Sequence, residues 1–120
     1  MGLFDRFKQI TGRIPIQSLL LGEYAFEREI TNVYGDMQEN NKRINTSVYF
    51  EIYETNSAKI LVRQNHKDLR YHVTAMPKNF ESFAITIINE DTRVEYVFGL
   101  SEIGVLITSK DRKKILAFNN

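Results

Sequence analysis

At 120 residues, with 42% hydrophobic and 26% charged side chains, the chain has the make-up of one folded domain, which excludes wholesale disorder. It contains no cysteine, which excludes a disulfide framework, thiolate catalysis and any metal site that needs thiolates. Sixteen basic against fifteen acidic residues leave a net charge of +1, well short of the basic excess that marks most nucleic-acid binders.

The opening MGLFDRFKQITGRIP has no apolar run of signal-peptide length and carries Asp5 and Arg6 early. Arg6 stands where a myristoylation motif on Gly2 would need Ser or Thr. No apolar run anywhere is long enough to be a transmembrane helix. The expectation is a small soluble cytoplasmic domain spanning residues 1–120.

Within residues 1–14, Leu3, Phe4, Phe7 and Ile10 fall on one helical face, with Asp5, Arg6, Lys8 and Gln9 opposite. Gly12 and Pro15 would end the helix. Such an amphipathic segment can cover its own core, dock in a partner's groove or make a peripheral membrane contact.

Residues 16–43 read as a helical region. Ile16, Leu19, Leu20, Glu23, Phe26, Ile30, Val33 and Met37 follow a helical stripe, with the helix proper over 16–34. Ile30–Gly35 weakens that stripe with β-branched residues and a glycine. Making 24–34 a strand would turn the whole chain into an all-β barrel or sandwich. GDMQENNKRINT reads as a polar loop or a frayed helix end.

From residue 47 to 119 the period is close to two. SVYFEIYE, AKILVRQ, LRYHVTAM, SFAITII, RVEYVFGL, GVLITS and KILAFN are separated by short turn-forming stretches. Short links favour antiparallel neighbours. The expected fold is therefore α+β, with an N-terminal helix or helices packed on an antiparallel meander of six to seven strands. Matching inward residues predicts Phe50 opposite Val62, Val62 opposite Tyr71, Tyr71 opposite Ile87 and Ile87 opposite Val94.

That register places Tyr49, Arg63, Arg70 and Arg93 on one outward rung, with His72 and Glu51 on the next and Tyr53 beyond. Arg63 would then face Arg70, a repulsion that either neighbouring glutamates offset or a bound anion relieves. The candidate binding residues are thus Tyr49, Tyr53, Arg63, Arg70, His72 and Arg93. Leu61, Ala84, Ile88 and Val97 also fall outward, and that much apolar surface on a solvent face points to a covered interface.

His66 and His72 are the only histidines, and no HxH or HExxH spacing, triad spacing or glycine-rich phosphate loop occurs. No cofactor, metal or enzymatic activity is expected. The leading function is a non-catalytic protein–protein interaction or assembly subunit, binding another protein or itself as an oligomer. One alternative is an anion or single-stranded nucleic-acid binder using the Tyr/Arg face, with nucleic acid the less favoured partner. The other is a small-ligand pocket between helix and curled sheet, a cystatin-like or NTF2-like layout in outline, with no motif to carry a family assignment.

Overall fold

The computed structural model describes residues 14–120. It comprises eight strands: β1 (Gln17–Val33), β2 (Asp36–Ile52), β3 (Ala58–Gln64), β4 (Lys67–Val73), β5 (Phe83–Asn89), β6 (Glu95–Ser101), β7 (Gly104–Ser109) and β8 (Lys114–Asn119). Each pairs antiparallel with the next, and β8 pairs with β1 to close a barrel. The described residues contain no helix.

This corrects the α+β expectation. The helix over 16–34, and the helical region to 43, are instead β1 and the first half of β2. The all-β barrel alternative is the one that holds. The expected amphipathic helix with Leu3, Phe4, Phe7 and Ile10 lies outside the described residues.

The misleading stripe has a physical origin. β1 is broken by register shifts between Leu20 and Gly22 and between Tyr24 and Phe26. Each irregularity changes the local spacing of inward side chains. Leu19, Leu21 and Tyr24 pack on the core and Glu27 is buried, so the inward spacing runs two, three, three and imitates a helix. Asn120 satisfies the backbone groups that the second shift releases: its Oδ1 accepts from the Ala25 N–H at 3.0 Å and its Nδ2 donates to the Glu23 carbonyl at 3.2 Å. Tyr34 and Gly35, at φ 56° and 81°, form the two-residue turn joining β1 to β2.

The seven strands expected from residue 47 onward are all present, the first as the second half of β2. Their facing is as expected except at Val94, expected inward, which precedes β6 and is 45% exposed, and each predicted pairing slips by two residues. Val48 rather than Phe50 opposes Val62, Leu69 rather than Tyr71 opposes Val62, Asn89 rather than Ile87 opposes Tyr71, and Tyr96 rather than Val94 opposes Ile87. An even slip keeps every side chain on its face. For β3–β4 the cause is a tight turn at Asn65–His66, both with positive φ, where NHKD reads as a four-residue turn.

Inside the barrel, Phe50, Phe98, Phe118, Ile60, Ile87 and Ile107 are fully buried. Phe80, from the loop between β4 and β5, sets its ring 4.9 Å from Phe50, and Phe83 lies 5.6 Å from Phe98. These contacts fill the end of the barrel where β1 begins. Burying each such side chain contributes about 1.5–3 kcal/mol against the entropy of ordering the chain. Toward the other end the interior turns polar. Gln64 Nε2 donates to Glu27 Oε1 and to Thr46 Oγ1, both at 2.9 Å, and Lys42 Nζ lies 3.2 Å from Glu27 Oε2.

Gly104 is required by packing as well as by its φ of +150°, because a Cβ there would meet the Phe118 carbonyl oxygen at 2.1 Å. The barrel interior predicts a sharp contrast between neighbours in β6. Phe98→Ala should cost about 3–5 kcal/mol in urea unfolding. Val97→Ala, at 40% exposure on the outer face, should cost less than about 1 kcal/mol.

Candidate functional site

Side chains directly opposite each other in a sheet share a face, so the pairing defines outward rungs. On β2–β4 they read Ser47–Arg63–Asp68, Tyr49–Leu61–Arg70 and Glu51–Lys59–His72. The two-residue slip therefore separates Arg63 from Arg70 and sets Arg63 against Asp68.

Tyr49, Tyr53, Arg63, Arg70 and His72 come together on this side of the barrel. Arg93 does not join them: it sits in the β5–β6 turn at φ 63° and donates its backbone N–H to the Asn89 carbonyl. Leu61, expected as exposed apolar surface, is 3% exposed, flanked on its rung by Tyr49 and Arg70.

Both arginines are held by carboxylates. Arg63 donates from Nε and Nη2 to the two oxygens of Asp68 at 2.8 and 3.0 Å. Arg70 donates from Nε and Nη2 to Glu51 at 2.9 and 3.3 Å, and the Tyr53 hydroxyl donates to the same carboxylate at 3.0 Å. Lys59 binds Glu90 at 2.5 Å beneath His72, whose Nε2 lies 3.9 Å from the same oxygen.

These forks shift the titrations. The hydrogen bond from Arg63 holds the Asp68 carboxyl below its ordinary range, and the hydrogen bond from Lys59 does the same for Glu90. Burial, reinforced by the hydrogen bond to Glu51, pushes the Tyr53 phenol up to about 12. A cavity of about 440 Å³ opens among Tyr53, Lys59, Arg70, Glu90 and Asp91. With two cations and two carboxylates on its wall, it is close to neutral. An incoming anion would have to displace a carboxylate already in place.

The outer face of β5–β8 is different in kind. One rung reads Ala84–Gly99–Leu106–Ala117 and the next Thr86–Val97–Thr108–Ile115. Neither contains a charged side chain. Leu106 is 47% and Val97 40% exposed, and Ile103 in the β6–β7 turn is 85% exposed. The small floor of Ala84, Gly99 and Ala117, with Leu106 and Ile103 beside it, forms an open groove of about 510 Å³. A Cβ at Gly99 would meet only the Leu106 carbonyl oxygen, at 3.9 Å, so the groove floor is low because that side chain is missing.

Ala84 and Val97 were legible as outward apolar positions. The alternation alone does not single out Gly99, Ile103, Leu106 and Ala117, although GVLITS and KILAF carry the signal: both their faces lack charge between the strand ends. Among the described residues, no three His, Asp or Glu side chains gather in a way that could hold a metal ion. No described helix is long and apolar enough to cross a membrane.

The depressed carboxylates predict a pH response. Asp68 and Glu90 hold fewer protons in the folded chain than in the unfolded chain through the acid range, so their contribution is complete above the ordinary carboxylate pKa of about 4 and is lost as pH falls through the lower folded values. Urea midpoints should fall below about pH 4. In Asp68→Asn/Glu90→Gln that fall should be shallower, by a modest amount because both pairs are partly exposed. Comparison with known proteins found no family model, no curated protein and no solved structure that matches the chain.

Proposed function

We propose that the chain is a non-catalytic interaction or assembly subunit of the cytoplasm that docks another protein on the outer face of β5–β8. The observation that carries this is the division of the barrel's outer surface. Charged side chains of β2–β4 are held by carboxylates, Arg63 by Asp68, Arg70 by Glu51 and Lys59 by Glu90 of the β5–β6 turn, while the two central rungs of β5–β8 carry small, apolar and threonine side chains with no charge among them. Contiguous apolar surface of that kind is costly to leave in water and is commonly an interface.

The partner of matching chemistry is an apolar segment with basic flanks. Ile103 and Leu106 offer it apolar walls, and Glu81 and Glu102 are exposed and next in the chain to the lining residues Ser82, Ser101 and Ile103. The absence of bulk at Gly99, Ala84 and Ala117 would admit large side chains. The anion-binding alternative is weakened because Arg63 and Arg70 are each forked onto a carboxylate. The helix-lined ligand pocket loses its basis with the helix.

The test compares surface variants of tagged full-length protein in its source cells by quantitative affinity purification. Leu106→Glu and Gly99→Lys should abolish capture of the partner while leaving thermal unfolding close to that of the parent. Arg63→Gln should leave capture intact. Loss of capture with Arg63→Gln alone, or oligonucleotide binding that weakens steeply with salt, would replace this proposal with the anion-binding one.

A further inference from the structure

β2 is much longer than the strand beside it. β3 pairs with it only from Thr46 onward, so Asp36–Arg43 is paired on the β1 side alone, and Ile44 and Asn45 lie in the register shift between the two ladders. Among the described residues nothing pairs with its other edge. Ten residues of strand span about 33 Å, and every side chain from Asp36 to Arg43 is exposed. The turn at its end carries Val33, Tyr34 and Met37 at 53%, 102% and 67% exposure. A free edge of this length is a template for another strand.

We propose that this edge pairs antiparallel with the same edge of a second copy, about a twofold axis at Asn41. The symmetry restricts the options. In a twofold antiparallel pair, opposed residues share a face, so the axis passes through one residue and its own counterpart. Centring on Glu39, Lys42 or Arg43 would set like charges directly against each other, which is destabilising. Centring on Asn40 opposes Glu39 with Asn41, Gln38 with Lys42 and Met37 with Arg43, with no ion pair.

Centring on Asn41 opposes Glu39 with Arg43 of the second copy, twice by symmetry. It also sets Asn40 against Lys42, Gln38 against Ile44 and Met37 against Asn45. An axis at Asn41 pairs residues 37–45 and one at Asn40 pairs 36–44, equal lengths of the free edge, so the two symmetric ion pairs decide between them.

The ribbon's existing contacts support the match. Arg28 already binds Glu39, and the Arg43 guanidinium sits 5.3 Å over the Phe26 ring. Joining two ribbons would extend these into one row across the axis: Phe26, Arg43, then Glu39 and Arg28 of the second copy. This interface is separate from the β5–β8 groove and stands whether or not that groove binds a partner.

The absence of native cysteine gives a clean test with the full-length chain. Gln38→Cys, Asn40→Cys, Asn41→Cys and Lys42→Cys are oxidised separately and run on non-reducing gels. At the axis the two Cα atoms stand about 4.5–5.5 Å apart, within disulfide range, whereas each of the other positions lies more than about 7 Å from its counterpart. Asn41→Cys should give several-fold more covalent dimer than any of the others. In light scattering the parent should show twice the mass of one chain, and Arg43→Glu, which opposes two acidic groups, should return it to one. A parent that stays monomeric at the highest concentration it tolerates overturns the proposal. So does cross-linking that is equal at all four positions or strongest away from Asn41.

Discussion

The closing pair between β1 and β8 is the constraint on which the rest depends. Phe26–Thr31 lie against Asn119–Lys114, so residues near the two ends of the described chain form one ladder. That ladder turns a meander with two open edges into a surface with an inside and an outside. Phe118 and Leu116 on β8 are thereby brought into the same interior as Leu19 and Tyr24 on β1. Without closure, the inward rows of both strands would face water and their edges would be open to other chains.

Closure is incomplete in a particular way. β8 reaches β1 only from Phe26 onward, and β3 reaches β2 only as far as Thr46. The two longest strands overshoot their neighbours, leaving the first part of β1 and the first part of β2 each paired on one side among the described residues. The stagger belongs to a barrel whose strands tilt strongly, and the register irregularities in β1 let it bend along the way. The projecting β1–β2 ribbon is a consequence of that tilt, and its polar, alternating charge contrasts with the apolar rows inside.

The closed surface also sorts the side chains that interior packing does not use. On β2–β4 the outward cations Lys59, Arg63 and Arg70 are each held by a carboxylate, so this face is nearly neutral at short range although it holds most of the arginines that the sequence draws attention to. On the two central rungs of β5–β8 the outward residues are small, apolar or threonine, with no ion pair among them. A pair of opposite charges can settle its own desolvation locally through hydrogen bonds. An exposed Leu106 or Ile103 can be covered only by something else.

The sequence by itself determined which segments downstream of residue 47 are strands and which way their side chains face, because a period of two is imposed by each strand's own pleat. Phe50, Val62, Tyr71 and Phe98 could be placed inside without knowing any partner. Only the tertiary structure decided that residues 16–43 are strand, since the bulged spacing of Leu19, Leu21, Tyr24 and Glu27 matches a helical stripe until the pairing partners on β2 and β8 are known. It likewise decided the register, because turn length and strand tilt, rather than the apolar pattern, choose between alignments two residues apart. That choice is what sets Arg63 on Asp68 rather than on Arg70, and so what makes the Tyr/Arg face self-paired while the groove beside Gly99 stays open.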